Sequence, residues 1–439
     1  VPENENLGNL PINIWAMGYT QREINGKDQL WIVNGVGNDG ILVGQNMYFD
    51  TNNDTWVFTG PLESATFYRT SAINHQGTIY HIGGSIGGFS HSGLSDKSYE
   101  TNCEVCEAEK GEWINIGLGN GCPDWYRYDA EYDEETGLAY LMGGRSGSVG
   151  EGDIYAFNPE TGTCSDTHVD MLIPVSNYTI ARLEFPDGIR LCTFGGYHSS
   201  SVTNTDKVQC FSPTLNNIVY KANLPSAFAG YRPGGVEVVD NKAYIFGGTR
   251  ITTSPYDIAI TYEYNPQTNS YTPKGNMSLA RSFIISAVAD DMIYAFGGDL
   301  NDGLLTAHTR AERFDPTTGY WSDGDVPDLP YALDEGQAFG FDYDSGASLS
   351  SAIVIAGGGQ WPDSTSEVLL YDVGNKTYDY GFGDLNIERR NHAGFFLPGE
   401  RPRMWVIGGR VDSDNPPYGT IEYYELGSGF DVFLPLILK

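Results

Sequence analysis

The sequence predicts an all-β fold built from eight copies of one four-stranded unit. A pair of glycines recurs behind a short apolar run, at steps of 49 to 60 residues along the chain. The pairs begin at Gly83, Gly143, Gly195, Gly247, Gly297, Gly357 and Gly408, and Val33-Asn34-Gly35 is a degenerate first copy. Self-similarity at a period near fifty is typical of repeat architectures. The runs before the glycines are β-branched and aromatic, which indicates strands.

Each repeat predicts four strands in a fixed order. A first strand such as 68–73 leads through a polar turn into a second strand such as Thr78-Ile79-Tyr80-His81-Ile82, which ends at the glycines. Glycine at this point lets neighbouring backbones approach where a Cβ would clash. After a variable polar loop, the third strand ends in an Asn-Pro or Asp-Pro turn, a pair that favours turn initiation. The fourth strand carries an aromatic residue, namely Trp56, Trp113, Tyr271, Trp321 or Tyr378.

The combination of glycine pair, Asn/Asp-Pro turn and trailing aromatic resembles the kelch repeat over almost the whole chain. The resemblance implies a β-propeller with one four-stranded antiparallel blade per repeat. Eight blades is the direct count, and seven is the alternative because it is commoner in that family. We predict one propeller over 18–429, flanked by an extension at 1–17 and an apolar strand at 430–439, and we predict no cofactor and no metal site.

Charge and composition limit the partners. The chain has 57 Asp and Glu against 25 Lys and Arg, a formal net charge of −32, which repels nucleic acid and anionic lipid. No apolar run reaches the length of about twenty residues that a membrane helix needs. The chain begins Val1-Pro2 without methionine, so we expect a removed export signal and a secreted protein. Four sequons fit export: Asn53, Asn177, Asn276 and Asn375.

Six cysteines lie in the second to fourth repeats. Cys192 precedes a glycine pair and Cys210 lies on the next strand, so we predict a disulfide across one blade, as suits an oxidising compartment. The other four are Cys103, Cys106, Cys122 and Cys164, and their three possible pairings stay open. Zinc held by the Cys103-Glu104-Val105-Cys106 segment with Cys122 is the weaker alternative.

In the kelch arrangement, the loops after the glycines and the starts of the innermost strands surround the mouth of the central channel. A ring of arginines there predicts an anionic ligand, such as a carboxylated sugar or an acidic peptide. The predicted ligand-binding residues are Arg69, Arg127, Arg232, Arg281, Tyr197, His198 and Trp361. The loops after the glycines add Arg145, Arg250, Asp299 and Arg410. The competing interpretation is that a recurring Tyr-Arg pair makes hydrogen bonds between blades.

Enzymes related to this architecture supply further hypotheses. The chain does not match the two-histidine, two-tyrosine copper set of galactose oxidase, because the pair Tyr197-His198 lies after a glycine pair rather than on an inner strand. It also lacks the iron-binding acidic spacing of the nitrile-specifier proteins. A resemblance to propeller polysaccharide lyases implies a base and a cation at the mouth, for which His392, Arg390 and either Tyr68 or Tyr126 are the candidates.

The two chain ends offer one outer strand too many for eight blades. One end completes the last blade, or it pairs with a neighbouring molecule and produces a dimer or a fibre. We therefore predict an exported binding or structural module whose partner is itself, through a terminal strand, or an extracellular glycan or protein. A carbohydrate-active enzyme acting on an anionic glycan is the alternative.

Overall fold

The fold comes from a computed structural model. It describes residues 14–15, 17–24, 27–33, 36–37, 45–50, 55–61, 71–75, 78–82, 98–101, 112–118, 121–147, 149–198, 203–228, 231–250, 256–300, 306–344, 349–360, 362–379, 382–399, 401–411, 419–426 and 431–433. Two compact units are present, one formed by 1–110 with 378–381 and the other by 111–377 with 382–439. No helix among the described residues is long and apolar enough to cross a membrane.

The first unit carries the first two repeats as two neighbouring sheets. Its strands are β1 (Ile14–Trp15), β2 (Gly18–Ile24), β3 (Lys27–Val33), β4 (Val36–Gly37), β5 (Gln45–Asp50), β6 (Thr55–Pro61), β7 (Ser71–His75), β8 (Thr78–Ile82) and β9 (Ser98–Thr101). The order β2–β3–β5–β6 makes an antiparallel four-stranded sheet, β7–β8–β9 makes a second sheet, and β1 pairs with β4. Both sheets follow the strand order that the repeats predict.

The second unit contains six blades, which we number I to VI. Its strand β10 (Ile114–Leu118) comes first. Blade I has β11 (Asp129–Asp133), β12 (Leu138–Ser146), β13 (Val149–Asn158) and β14 (Thr163–Asp170), and blade II has β15 (Thr179–Phe185), β16 (Gly188–Phe194), β17 (Tyr197–His198), β18 (Thr203–Asn204), β19 (Val208–Ser212) and β20 (Asn217–Tyr220). A short 3-10 helix, Ser226–Phe228, precedes blade III.

Blade III has β21 (Tyr231–Val239), β22 (Lys242–Arg250), β23 (Thr261–Asn265) and β24 (Ser270–Pro273), and blade IV has β25 (Ile285–Ala289), β26 (Met292–Phe296), β27 (Asp299–Leu300), β28 (Thr306–Ala307), β29 (Ala311–Asp315) and β30 (Tyr320–Ser322). Blade V has β31 (Gln337–Asp344), β32 (Leu349–Ala356), β33 (Gly359–Gln360), β34 (Asp363–Ser364), β35 (Val368–Asp372) and β36 (Thr377–Asp379), and blade VI has β37 (Ala393–Leu397), β38 (Arg403–Ile407) and β39 (Thr420–Glu425). A last strand, β40 (Asp431–Phe433), pairs with the end of β31.

The inner strands β11, β15, β21, β25, β31 and β37 contact one another in a closed ring. The ring closes because β10 pairs with β39 and becomes the outer strand of blade VI. The prediction of eight blades, with seven as the alternative, is therefore wrong, and the propeller has six. The glycine spacing counts repeats correctly, but it carries no information on how many repeats share one ring or on which distant strand closes it.

The recurring glycines join neighbouring blades. Gly297 and Gly298 adopt φ of +56° and +101°, and a Cβ on Gly297 would lie 2.0 Å from the carbonyl oxygen of Leu333 in blade V. The Gly298 amide donates to that same carbonyl at 2.9 Å. The second glycine makes the equivalent bond to the next blade in four further repeats, from Gly144, Gly248, Gly358 and Gly409. The glycine pair thus allows the close backbone approach that its sequence predicts.

Two disulfides lie in the second unit. Cys192 and Cys210 face each other across β16 and β19 and are bonded, which confirms the predicted pair. The second disulfide joins Cys122 to Cys164, which excludes the zinc alternative that used Cys122. Cys103 and Cys106 lie outside the described residues.

Buried ion pairs fix the segments that lead into two inner strands. Arg281 pairs with Glu312 in blade IV, and Arg389 pairs with Glu422 in blade VI, with all four side chains at most 1% exposed. Each glutamate also accepts backbone N–H groups from the segment that contains its arginine. These contacts hold the approach to the channel rigid.

Candidate functional site

A collar of backbone surrounds the mouth of the central channel in the six-bladed unit. Five blades each place one non-glycine residue with positive φ two positions before the first residue of the inner strand, namely Arg127, Asn177, Phe283, Glu335 and Asn391, with φ between +49° and +58°. Such conformations are uncommon for residues with a side chain and are often retained at functional sites. The collar is not predictable from the sequence, because no residue type marks its positions.

Hydrogen bonds between blades hold the collar in place. The amide of Asn177 donates to the carbonyl of Arg127 at 2.9 Å, and the amide of Arg127 donates to Asn391 at 2.8 Å. Asn391 in turn donates to Glu335 at 2.9 Å, and Glu335 donates to Phe283 at 3.4 Å. The backbone of the collar is therefore fixed, while its side chains line the mouth.

The collar surrounds a cavity of about 140 Å³ at the top of the channel. A second cavity of about 300 Å³ continues below it, and Asp129, Glu237 and Gln337 line both. A water molecule occupies about 30 Å³ of liquid. The upper cavity therefore has the volume of about five water molecules, and a polysaccharide or peptide would extend beyond it across the mouth.

A cluster of arginines occupies one side of this mouth, where blades VI and I meet. It consists of Arg127, Arg145, Arg390 and Arg410. Arg410 lies over the ring of Tyr126 at 4.8 Å from its centroid, and Arg127 lies 5.7 Å from the same centroid. Backbone bridges between Tyr126 and Arg145, and between Arg390 and Arg410, place these side chains on one face. We call this set the mouth arginine cluster.

The hydrogen-bonding capacity of the cluster is only partly used. Glu335 accepts from Nη1 of Arg390 at 2.5 Å. Among the described residues, no partner accepts from Nε of Arg127, Nε of Arg145, or Nε and Nη2 of Arg390, although all four atoms are buried. Burial lowers the pKa of Arg127, Glu335 opposes that effect, and Arg145 and Arg390 add to the lowering. Buried donors without acceptors are costly, so this arrangement favours an incoming anionic acceptor.

Three of the predicted catalytic residues, His392, Arg390 and Tyr126, lie near the mouth, and two of them, Arg390 and Tyr126, make structural contacts. His392 lines the upper cavity and is 1% exposed. Burial, and next the charge of Arg389, lower its pKa to about 3. Arg390 is fully buried in its pair with Glu335, and the Tyr126 hydroxyl donates to the Gly147 carbonyl at 2.5 Å. Tyr68 lies outside the described residues.

The remaining predicted binding residues are distributed unevenly. Arg127 and Tyr197 lie at the mouth, where Arg145 sits 4.8 Å from the Tyr197 ring centroid. His198 follows Tyr197 in β17 and is half-buried. Arg281 is buried in its ion pair with Glu312. The backbone of Arg232 pairs with Thr249 in blade III, and its side chain lies outside the described residues, as do Arg69 and Trp361.

The four sequons differ in accessibility. Asn276 and Asn375 are exposed, and Asn375 lies in the turn between β35 and β36, where its side chain donates to Asp372 at 2.9 Å. Asn177 belongs to the collar and lines the upper cavity, with its amide nitrogen buried. Asn53 lies outside the described residues.

Acidic side chains line the lower channel, and they are not among the predicted site residues. Burial raises the pKa of Asp129 to about 7 and that of Glu237 to about 7. Burial, followed by the charges of Asp129 and Glu237, raises the pKa of Glu131 to about 8. The alternation of Asp129, Glu131 and Asp133 along β11 could have predicted an acidic channel wall, because alternate residues share one face of a strand. Within the described part of the chain, no group of three His, Cys, Asp or Glu is placed to hold a metal ion.

Comparison with known proteins shows that parts of the chain are similar to Kelch-like proteins and to a galactose oxidase. No family model matches the chain. It is 25% identical to Kelch-like protein 25 of Xenopus tropicalis over 206 residues, which cover 44% of this chain and 31% of that protein. It is 25% identical to a galactose oxidase of Gibberella zeae over 305 residues, which cover 64% of this chain and 43% of that protein. It is also 33% identical to human Kelch-like protein 42 over 75 residues, covering 17% and 14%. The chain thus spans less than half the length of each of these relatives.

Proposed function

We propose that this chain, which belongs to the kelch-repeat β-propeller family, is a binding module that holds a carboxylate-bearing ligand at the mouth of its six-bladed propeller. The observation that carries the proposal is the mouth arginine cluster, in which the buried Nε of Arg127, Nε of Arg145, and Nε and Nη2 of Arg390 lack acceptors among the described residues. Guanidinium groups bind carboxylates through charge-assisted hydrogen bonds, which are the strong ones. A carboxylated sugar and an acidic peptide both present this chemistry.

The local charge outweighs the opposing net charge of the protein. A carboxylate 4 Å from one guanidinium gains about 4 kcal/mol at an effective dielectric constant of about 20. The net charge of −32 repels the same ligand at long range, but salt screens such repulsion beyond about 10 Å at 0.1 M. Close contact with Arg127 and Arg145 therefore dominates once the ligand reaches the mouth.

The lyase reaction is not part of this proposal. A general base works best with a pKa near the operating pH, and the pKa of His392 is lowered to about 3. Strand β40 pairs with β31 of its own chain. Self-association through a terminal strand therefore stays a prediction from the sequence. We also propose that the protein is exported, because disulfides persist in oxidising compartments.

Calorimetric titration of the full chain tests the binding proposal. The probes are a trimer of a uronic acid and a glutamate-rich peptide of equal charge, with the matching neutral sugar as a control. We expect one carboxylated probe to bind and its affinity to fall as salt rises from 0.05 to 0.5 M, because screening weakens exposed ion pairs. Whichever probe binds identifies the ligand class.

Two arginine variants make the test specific. Arg145→Ala removes a half-buried cation of the mouth, and we expect it to weaken binding about tenfold or more. Arg401→Ala removes an exposed cation on blade VI that pairs with Glu425, and we expect it to leave the affinity unchanged. The proposal is wrong if neither carboxylated probe binds, or if both variants weaken binding equally.

A further inference from the structure

The outer strand of blade VI is held differently from the other outer strands described in the second unit. In blades I to V, a short turn links the outer strand to its neighbour in the same sheet, for example 158–163 in blade I. Strand β10 has no such turn, because it comes from the opposite end of the ring in sequence. Four residue pairs join it to β39, with a bulge between Asn115 and Gly117. The closure of the ring therefore depends on a short, interrupted pairing.

Among the described residues, further contacts anchor β10, including one to blade I, where a Cβ on Gly162 would lie 2.7 Å from Cδ1 of Ile116. Trp113, directly before it, is 4% exposed and lies 5.7 Å from the ring of Tyr424. The side chain of Asn386 donates to the Trp113 carbonyl at 2.6 Å. The side chains of Ile114 and Ile116 are 44% and 38% exposed, so they contribute less burial than core positions.

The disulfide between Cys122 and Cys164 lies beyond the C-terminal end of β10. Cys122 follows the end of β10 by four residues, and Cys164 lies in β14, the outer strand of blade I. The linking segment is pressed against that strand, because a Cβ on Gly121 would lie 2.7 Å from the Cys164 carbonyl oxygen. The bond thus ties the end of the closing strand of blade VI to the first blade.

The two described disulfides differ in access to solvent. Cys192 and Cys210 are both 0% exposed inside blade II, whereas Cys122 and Cys164 are half-buried. Thiol–disulfide exchange requires a thiolate to reach a sulfur atom. A reductant in solution should therefore open the Cys122–Cys164 bond while the Cys192–Cys210 bond stays intact in the folded protein.

We propose that the Cys122–Cys164 disulfide is a redox-sensitive latch that holds the propeller ring closed. A dithiol transfers two electrons and two protons to the bond, which leaves two thiols on the protein and a disulfide on the reductant. Reduction frees the segment between β10 and β11, and β10 then detaches more often from β39. In the open state of the ring, the edge of β39 that pairs with β10 is therefore unpaired. This latch is independent of ligand binding at the mouth.

Hydrogen exchange measured by mass spectrometry tests the latch on the folded full chain. The protein is treated with dithiothreitol at a concentration that leaves its circular dichroism unchanged, and alkylation with peptide mapping identifies the opened bonds. We expect alkylated Cys122 and Cys164, protected Cys192 and Cys210, and exchange at 114–118 that is about tenfold faster or more, because local opening sets exchange rates. Exchange at 217–220, the outer strand of blade II, is the internal control and should not change.

Paired variants separate the latch from a general loss of stability. Cys122→Ser with Cys164→Ser should reproduce the fast exchange at 114–118 without reductant. Cys192→Ser with Cys210→Ser should leave that exchange at the wild-type rate. If this variant does not fold, the reduction experiment on the wild-type protein still tests the proposal. Unchanged exchange at 114–118 after selective reduction, an equal increase at 217–220, or earlier opening of the buried bond would each overturn the proposal.

Discussion

Replacing Glu422 with alanine should destabilise the six-bladed unit strongly, because this one carboxylate satisfies four donors. It accepts from Nη2 of Arg389 at 2.5 Å, from the Asn386 amide at 2.6 Å and side chain at 2.8 Å, and from the Ile387 amide at 3.1 Å. Glu422 is 0% exposed and Arg389 is 1% exposed. The variant therefore leaves a buried cation without its counter-ion and two backbone N–H groups without an acceptor.

The expected cost follows from the burial of this pair. Removing one partner of a buried ion pair costs about 3–5 kcal/mol, because the other charge stays buried without compensation. Arg401→Ala is the control in the same blade. Arg401 is 69% exposed and pairs with Glu425, which keeps its second pair with Arg403, and exposed pairs contribute little to stability.

Urea unfolding followed by fluorescence compares the free energies of unfolding of both variants with that of the wild type. Glu422→Ala should lose at least about 3 kcal/mol, and Arg401→Ala should lose clearly less. Equal losses for the two variants, or a loss below about 1 kcal/mol for Glu422→Ala, would refute the assignment of a buried structural ion pair.

Three further predictions concern the channel, a glycine pair and the sequons. The raised pKa of Glu131 means that the folded state binds this proton more tightly than the unfolded state. The stabilising contribution of Glu131 is therefore lost as pH rises from about 4 to about 8. In urea titrations, Glu131→Gln should reduce the fall in the free energy of unfolding over this pH range. Gly297→Ala should cost at least about 2 kcal/mol more than Gly137→Ala, because a Cβ at Gly137 meets nothing within 4 Å; thermal melts that give equal losses would contradict this. In a secretory host, glycosidase treatment should release a glycan from Asn375 and none from Asn177, and the opposite pattern would contradict the described accessibility.

Local chemistry was predictable from the sequence where a residue type is required by geometry. The glycine pairs adopt the positive φ values and the close backbone contacts that their composition predicts, as at Gly297 and Gly298. The Cys192–Cys210 bond follows from their positions on neighbouring strands of one blade. In these cases the residues that contact one another lie within one repeat or in adjacent repeats, so their spacing in the sequence predicts the contact.

The closure of the ring was not predictable in the same way. The second repeat predicts an outer strand at Trp113 and the residues after it, but this strand pairs with β39 in blade VI. Pairing between segments so far apart in sequence leaves no spacing signal, because any outer strand fits any blade edge. The number of blades in the ring was wrong for this reason.

The mouth was predicted only in part. An arginine-rich mouth follows from the recurring Tyr-Arg pairs, and Arg127 does lie there. Arg281 has the repeat spacing of a mouth residue, but its side chain is buried in an ion pair with Glu312. It lies one residue before Ser282, whose backbone forms a bridge with Asp299. The side-chain direction changes with each residue along an extended chain, and repeat spacing alone does not resolve that difference.

The location of a bound carboxylate at the mouth is the central claim, and a hydrogen-exchange footprint tests it most directly. The full chain is saturated with whichever carboxylated probe binds in the calorimetric titration, and exchange is compared with and without it. We predict slower exchange at 126–128, 144–147 and 390–392, which form the basic side of the mouth, and no change in the turns at 133–137 and 290–291. Protection of those turns without protection of the mouth would contradict the account.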